Sequence, residues 1–137
     1  MCEEDKVFLL FGSIKKKLYK LINGKIKEYN LTVPEALYLI VISKYESLSY
    51  KELNSIVDYD KAMTTKVLNS LKDKEFVSNN IKNIVLTEKG CLVTDKVINE
   101  LNLLKSEILG KVSEREISKF YKKLNQFNQI LEGICYN

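Results

Sequence analysis

The sequence predicts a mainly α-helical fold with one small β-hairpin, and three observations lead to this prediction. Over long segments, apolar residues recur at the spacing of one face of an α-helix. The 137 residues include one Pro and five Gly, so few positions interrupt these segments. Two short apolar runs flank a pair of asparagines, which is typical of a hairpin. The length fits one domain, residues 1–137.

Two helices are predicted in the first third of the chain. Apolar residues from Val7 to Tyr29 follow helical spacing and indicate a long amphipathic helix. Thr32 and Glu35 then form a capping box, in which the two side chains accept backbone N–H groups at the start of the next helix. Residues 36–42 are almost wholly apolar, so this second helix is expected at the centre of the core.

Two short helices are predicted next. Ser49 and Glu52 form the capping box of the first, which ends near Asp58. Its inward-facing residues are predicted to be Leu53, Ile56 and Val57. Asp60 is a good N-cap for the second helix. Its buried side is predicted to consist of Thr64, Val67, Leu68 and Leu71.

The hairpin and two further helices complete the predicted order. One apolar run begins at Phe76, Asn79 and Asn80 supply the turn, and residues 84–86 return as the second strand. A helix then runs from Thr87 toward Gly110, and Ser113 and Glu116 cap a last one. Two short helices followed by a hairpin are the core of a winged helix-turn-helix.

The sequence resembles the MarR family of bacterial transcription regulators. The resemblance lies in LTVPEALYLIVI from residue 31, DKAMTTKVLNSLKDKEFV from residue 60 and IVLTEKG from residue 84. It implies a DNA-binding core at 31–87, flanked by dimerisation helices at 1–30 and 88–137. It further implies a homodimeric repressor on a pseudo-palindromic operator, released by a ligand. A helical bundle closing on itself as a monomer is the alternative.

A set of polar residues is predicted to contact double-stranded DNA. Thr65 and Asn69 are expected at base edges, Lys66 at a phosphate or a base, and Lys61 at a phosphate. The start of the preceding helix is expected to add phosphate contacts. The full set is Ser49, Tyr50, Lys51, Lys61, Ala62, Met63, Thr65, Lys66, Asn69 and Lys82. The alternative is that this polar face is merely solvated.

The kind of basic residue predicts the kind of operator. Arg115 is the only arginine, so every basic residue of the predicted DNA-binding segment is a lysine. Lysine lacks the planar guanidinium group that forms two hydrogen bonds with guanine. An A·T-rich operator is therefore expected. The net charge of +4 favours a polyanionic partner only mildly.

The predicted wing departs from the family pattern. Members usually carry a longer hairpin with an Asp-x-Arg element, whereas eight residues separate Val77 from Leu86 here and Lys82 is the sole base between them. Members also commonly have an aspartate where Asn69 stands. These departures support an alternative function, a dimeric interaction protein with weak or lost DNA binding.

Tyrosines and cysteines are candidates for sensing an aromatic effector and an oxidant, respectively. The family often binds aromatic effectors between its dimer helices and its winged core, where Tyr19, Tyr38 and Tyr45 could line a pocket; packing is the favoured alternative for each. One family branch senses peroxides through a thiol farther into the first helix than Cys2. Cysteines 2, 91 and 135 are odd in number, which argues against a disulfide scaffold. A buried structural role is favoured for Cys91 over sensing.

Several functional classes are disfavoured. Without histidine or a CxxC pair, the chain offers neither a usual zinc site nor a histidine base, and no cofactor motif is present, so an enzyme is not expected. The N-terminus MCEEDKVFLLFG is acidic where a signal peptide would be basic, and no apolar run is long enough to span a membrane. A cytoplasmic protein is expected.

Overall fold

Residues 1–78, 80 and 82–136 are described by a computed structural model. Within them are six α-helices and a 3₁₀ helix at Lys27–Tyr29. The α-helices are Glu3–Ile26 (α1), Val33–Ser43 (α2), Tyr50–Val57 (α3), Lys61–Asp73 (α4), Glu88–Leu109 (α5) and Glu114–Cys135 (α6). The chain forms two compact units, the first ending at Leu104 and the second beginning at Lys105.

Side-chain caps fix the starts of four helices, and all four were predicted. The cap hydrogen bonds run from Glu35 N to Thr32 Oγ1 (3.3 Å), from Glu52 N to Ser49 Oγ (3.1 Å), from Met63 N to Asp60 Oδ1 (2.7 Å) and from Glu116 N to Ser113 Oγ (3.2 Å). Each bond satisfies an N–H that the helix itself leaves open. The caps therefore define where α2, α3, α4 and α6 begin.

The core of the first unit is built around α2, as the sequence predicted. Ala36, Tyr38 and Leu39 have no exposed surface. The buried side of α4 packs into the same core, and its predicted members Thr64, Val67, Leu68 and Leu71 are all buried. The helical periodicity therefore identified the inward face of α4 correctly.

The inward orientation predicted for Ile56 is wrong. Leu53 is fully buried, but Ile56 is 42% exposed. Leu53 lies at one edge of the covered side of α3, which continues through Tyr50 to Asn54, and these two residues hydrogen-bond to α4. Ile56 lies beyond the edge that Leu53 marks, since each residue advances by about 100° around the helix.

Two isolated antiparallel bridges stand where the hairpin was predicted, and the described residues contain no β-strand. Val77 pairs with Leu86, and Ile84 pairs with Leu48 just before α3. The Ser78 hydroxyl lies 3.4 Å from Val85 N and donates to Asn83 O at 3.2 Å, so side-chain bonds replace part of a regular ladder. Of the two predicted turn residues, Asn80 accepts from Lys82 N at 3.0 Å, whereas Asn79 lies outside the described residues.

Gly90 allows α5 to pass close to the backbone that precedes the bridges. A Cβ at this position would lie 1.9 Å from the carbonyl oxygen of Phe76. Thr87 fixes the same junction, because its hydroxyl donates to Glu75 O at 2.6 Å and accepts from Gly90 N at 3.0 Å. The start of α5 is thus held against the end of the α4 segment.

None of the helices within the described residues is long and apolar enough to cross a membrane.

Replacing Gly90 by Ala should lower the free energy of unfolding by about 2–3 kcal/mol, because the new methyl group meets backbone that cannot move aside. Urea unfolding followed by circular dichroism measures this change. Gly24→Ala is the matched control, since a Cβ there meets nothing within 4 Å and should be neutral or raise stability by up to about 1 kcal/mol. Equal stability of the two variants would contradict the close approach at Gly90.

Candidate nucleic-acid interface

One side of α4 is exposed and polar, opposite its buried side. Lys61, Ala62, Thr65, Lys66 and Asn69 are exposed, and we call them the polar face of α4. They line a shallow concave surface together with Ser70 and Asp73. Met63, also predicted to contact DNA, is half-buried beside the core. The structure thus brings five of the ten predicted DNA-binding residues onto one surface.

A buried chain of hydroxyl groups sets the rotation of α4. The hydroxyl of Thr64 donates to Asn54 Oδ1 of α3 at 2.6 Å, and the hydroxyl of Tyr38 in α2 lies 2.7 Å from Thr64 Oγ1. Because the single proton of Thr64 goes to Asn54, Tyr38 must be the donor in the second bond. Burial raises the pKa of Tyr38, so this hydroxyl keeps its proton. Three helices are therefore joined at one point.

Tyr59, between α3 and α4, extends this network to α1. Its ring stacks on Tyr38 with centroids 5.9 Å apart, and its hydroxyl lies 2.9 Å from that of Tyr19. The hydrogen bond with Tyr19, followed by burial, raises the pKa of Tyr59 to about 12. Two of the predicted pocket residues, Tyr19 and Tyr38, thus contact Tyr59 within the fold, whereas Tyr45 is 49% exposed beyond the end of α2.

A buried carboxylate holds the other end of α4. Glu35 is 3% exposed and accepts from Lys74 Nζ at 2.8 Å and from the Ser70 hydroxyl at 2.9 Å, while Lys74 also donates to Asn30 O at 2.6 Å. Burial alone would raise the pKa of Glu35, but hydrogen bonds from Lys74, Thr32 and Ser70 outweigh it and hold the pKa below its ordinary value. The carboxylate therefore stays charged and ties α4 to the start of α2.

The start of α3 contacts the start of α4 through Tyr50. The Tyr50 hydroxyl donates to Lys61 O at 2.7 Å and lies 2.8 Å from Thr65 Oγ1. Ser49 uses its hydroxyl and its backbone N–H within the capping box. Lys51 is exposed one residue further on. The phosphate donors that remain at this helix start are the lysine ammonium and first-turn N–H groups.

Lys72 belongs to this surface but was not among the predicted residues. It lines a small, partly open recess beside α4 together with Tyr50, Thr65, Leu68, Asn69 and Ile84. The signal that could have found it is its spacing, since Lys72 lies three residues after Asn69 and so on the same side of the helix. Lys82, the predicted wing contact, is exposed near the bridges.

The cysteines lie at the surface, so the buried role favoured for Cys91 is wrong. All three are free and exposed. Gly90 and Thr94 occupy the buried side of α5, and Cys91 lies about 100° around the helix from Gly90. Cys2 precedes α1, where its backbone N donates to Asp5 Oδ2 at 3.4 Å. In the part of the chain that is described, no group of three or more Cys, Asp or Glu side chains could hold a metal ion.

Comparison with known proteins defines the class. No family model matches the sequence. The HTH-type transcriptional regulator SarZ of Staphylococcus aureus (strain USA300) is 31% identical, over 86% of this chain and 83% of the relative. The Staphylococcus aureus MepR–DNA complex has a TM-score of 0.81 at 15% identity, covering 89% and 94% of the two chains. Staphylococcus aureus MarR with salicylate and kanamycin has a TM-score of 0.79 at 21% identity, covering 95% and 93%.

The helix order, the position of α4 and these similarities define a winged helix-turn-helix transcriptional regulator. The chain belongs to the MarR family, as the sequence resemblance indicated. Its relative SarZ is a transcriptional regulator, so the expectation that the chain is not an enzyme is confirmed.

Glu35→Gln should lower the free energy of unfolding by about 2 kcal/mol at pH 7, because hydrogen bonds to a charged acceptor are lost. The pKa of Glu35 is lowered in the folded state, so its contribution is complete above the unfolded-state pKa and disappears as the pH falls through the folded pKa. The difference between wild type and variant should therefore shrink as the pH falls below the ordinary titration range of a glutamate carboxyl.

Urea unfolding at several pH values measures this difference, and Glu46→Gln is the matched control because Glu46 is exposed. A difference between wild type and Glu35→Gln that stays the same as the pH is lowered through and below the carboxyl titration range would contradict a charged Glu35.

Proposed function

We propose that this regulator is a homodimeric repressor whose α4 enters the major groove of a pseudo-palindromic, A·T-rich operator, and that a ligand releases it. The proposal rests chiefly on the polar face of α4, which is exposed while both ends of the helix are held by buried hydrogen bonds. The division into a DNA-binding core at 31–87 and dimerisation helices at 1–30 and 88–137 is part of the proposal.

The dimensions and chemistry of α4 suit a major groove. Its 13 residues span about 20 Å along the axis, and an α-helix fits a groove about 12 Å wide. Thr65 and Asn69 are short enough to reach base edges, and the ammonium groups of Lys61 and Lys66 can contact phosphates on either side. No arginine lies on this face, which favours A·T pairs over guanine recognition.

Neighbouring segments supply the remaining phosphate contacts. The start of α3 offers first-turn N–H groups and the Lys51 ammonium, and a helix N-terminus favours an anion. Lys72 adds a cation beside Asn69. Lys82 is an exposed lysine of the wing. Its single ammonium group is better suited to contact a phosphate than to insert into the minor groove.

Exposed apolar side chains on α1 support a homodimer. Leu10, Ile14 and Leu21 are 56%, 46% and 47% exposed in the single chain, and they follow the spacing of one helix face. Described by itself, α6 has no buried residue, and its Phe120 and Ile134 are 61% and 72% exposed. Apolar area of this extent on monomers marks an interaction surface, and a two-fold dimer would place two α4 helices on successive half-sites.

Release by a ligand is supported by one relative and by one contact. The MarR protein of Staphylococcus aureus was solved with salicylate and kanamycin. In this chain Tyr19 of α1 contacts Tyr59, which stacks on Tyr38 and so connects α1 to the support of α4. An aromatic effector near Tyr19 or Tyr45 that favours another spacing of the two α4 helices would shift the population away from DNA binding.

A second candidate function is a dimeric interaction protein with weak or lost DNA binding. The observations that favour it are the two isolated bridges in place of a hairpin and the acidic Asp73 beside the polar face of α4. Such a protein would dimerise without salt-dependent binding to DNA.

Lys66→Ala should weaken binding to an operator selected from a random duplex pool and reduce the slope of log affinity against log salt by about one, because one phosphate contact is lost. Fluorescence anisotropy across a salt series measures both effects. Lys96→Ala is the matched control, since it removes the same charge from an exposed position on α5. Identical slopes for the two variants would remove Lys66 from the interface, and a wild type without salt-dependent binding would favour the interaction protein.

Ile14→Lys should convert the dimer to monomer at micromolar concentration, since a charge would be buried in the apolar face of α1. Light scattering after size-exclusion chromatography gives the molar mass. Asn23→Lys adds the same charge about 180° around the helix and should leave the dimer intact. An intact dimer in both variants would exclude the centre of α1 from the interface.

A further inference from the structure

We propose that a hydrogen bond to Tyr50 leaves the Thr65 hydroxyl able only to accept hydrogen bonds from DNA. Thr65 then selects bases that offer an N–H group in the major groove. These bases are adenine, through N6, and cytosine, through N4. The inference rests on the proposed function, because it requires the polar face of α4 to lie in that groove. It assigns one specificity-determining pair, Tyr50 and Thr65, within the set of predicted contacts.

Tyr50 and Thr65 have one hydroxyl proton each. The oxygen of Tyr50 lies 2.7 Å from the carbonyl oxygen of Lys61 and 2.8 Å from Thr65 Oγ1. A carbonyl can only accept, so the single proton of Tyr50 points at Lys61. A proton must then come from Thr65 to make the second contact a hydrogen bond, because two hydroxyl oxygens at this distance without a proton between them repel. The only proton of Thr65 is therefore committed to Tyr50.

The surrounding backbone keeps this arrangement in place. Lys61 is the first residue of α4, whose start is capped by Asp60, and Tyr50 follows the capping box of Ser49. Thr65 is β-branched, so its χ1 angle has few alternatives within a helix. The direction of the proton chain is thus set by a fixed carbonyl and not by a freely rotating side chain.

The hydroxyl oxygen of Thr65 can still accept hydrogen bonds, and it lies at an exposed position. Because Thr65 donates its proton to Tyr50, both lone pairs of its hydroxyl oxygen remain, and the residue is exposed on the polar face of α4. An unrestrained threonine can donate or accept at a base edge. In this protein Thr65 can only accept. Its oxygen would therefore face another acceptor if the base opposite were guanine, with O6 and N7, or thymine, with O4. Asn69 carries both a donor and an acceptor and is free of this restriction.

The expected consequence is a preference at one position in each half-site. Adenine or cytosine beneath Thr65 should bind about tenfold more tightly than guanine or thymine. Tyr50→Phe removes the hydroxyl and frees the proton of Thr65, so this preference should fall to about twofold, while preferences at other positions and the salt slope stay as in the wild type. Thr65→Val should also lose the preference, and Thr65→Ser, which keeps the hydroxyl, should retain it.

The experiment measures anisotropy of the full chain with duplexes that carry each of the four bases at every half-site position, after selection of an operator. Ser47→Ala is the control, since it removes an exposed hydroxyl that belongs to none of the proposed DNA or ligand contacts. Loss of the preference at one position in Tyr50→Phe and Thr65→Val, but not in Ser47→Ala, supports the proposal. A preference that survives in folded Tyr50→Phe, or a wild-type preference for guanine or thymine at the position sensitive to Thr65→Val, overturns it.

Circular dichroism of each variant establishes folding. If Tyr50→Phe does not fold, the wild type and Thr65→Val are compared instead. A wild-type preference for adenine or cytosine that is lost in Thr65→Val supports the proposal, and any other pattern overturns it. Failure of the wild type to select any DNA would instead overturn the proposed function itself, which distinguishes the two failures.

Discussion

The rotation of α4 about its own axis depends on the buried hydroxyl of Thr64. Apolar packing by Val67, Leu68 and Leu71 is not directional and would tolerate a modest rotation. The bonds from Tyr38 to Thr64 and from Thr64 to Asn54 are directional, and breaking them would leave buried polar groups unpaired. Once Thr64 points inward, helical geometry places its neighbour Thr65 at the surface, and the polar face of α4 follows.

The two ends of α4 are held by separate polar contacts. At the start, the Asp60 cap and the Tyr50 hydroxyl hold the first turn, and at the end Glu35 holds Ser70 and Lys74. A side chain that reads a base must be positioned before it meets DNA, since ordering it on binding would cost free energy. If the polar face of α4 binds DNA as proposed, these contacts position it before binding. A regulator whose affinity depends on the placement of α4 can be switched through the same supports.

Sequence reasoning recovered the features that are local in the chain. The caps at Thr32, Ser49 and Asp60 and the buried side of α4 depend on residues three or four positions apart, so periodicity reveals them. The exposure of Ile56 and Cys91 was not predicted, because it depends on which arc of a helix its neighbours cover.

The support of the candidate site was not predicted either. Lys74 meets Glu35 across 39 positions of sequence, and Thr65 meets Tyr50 across 15. No spacing rule links such distant pairs, so only the folded chain reveals them. The wing was predicted as a hairpin from its apolar runs, but pairing of Ile84 with Leu48 and the side-chain bonds of Ser78 leave two isolated bridges among the residues described.

If the polar face of α4 binds DNA and selects its sequence, as proposed, the protein must discriminate between duplexes. The most direct test is fluorescence anisotropy of the reduced wild-type protein against duplexes that tile the DNA around its own gene, with a shuffled duplex as control, at about 50 and about 200 mM salt. We expect tight binding to one or a few duplexes that weakens by more than about tenfold at the higher salt, with little binding to the shuffled control. Equally weak binding to every duplex at both salt concentrations would contradict it.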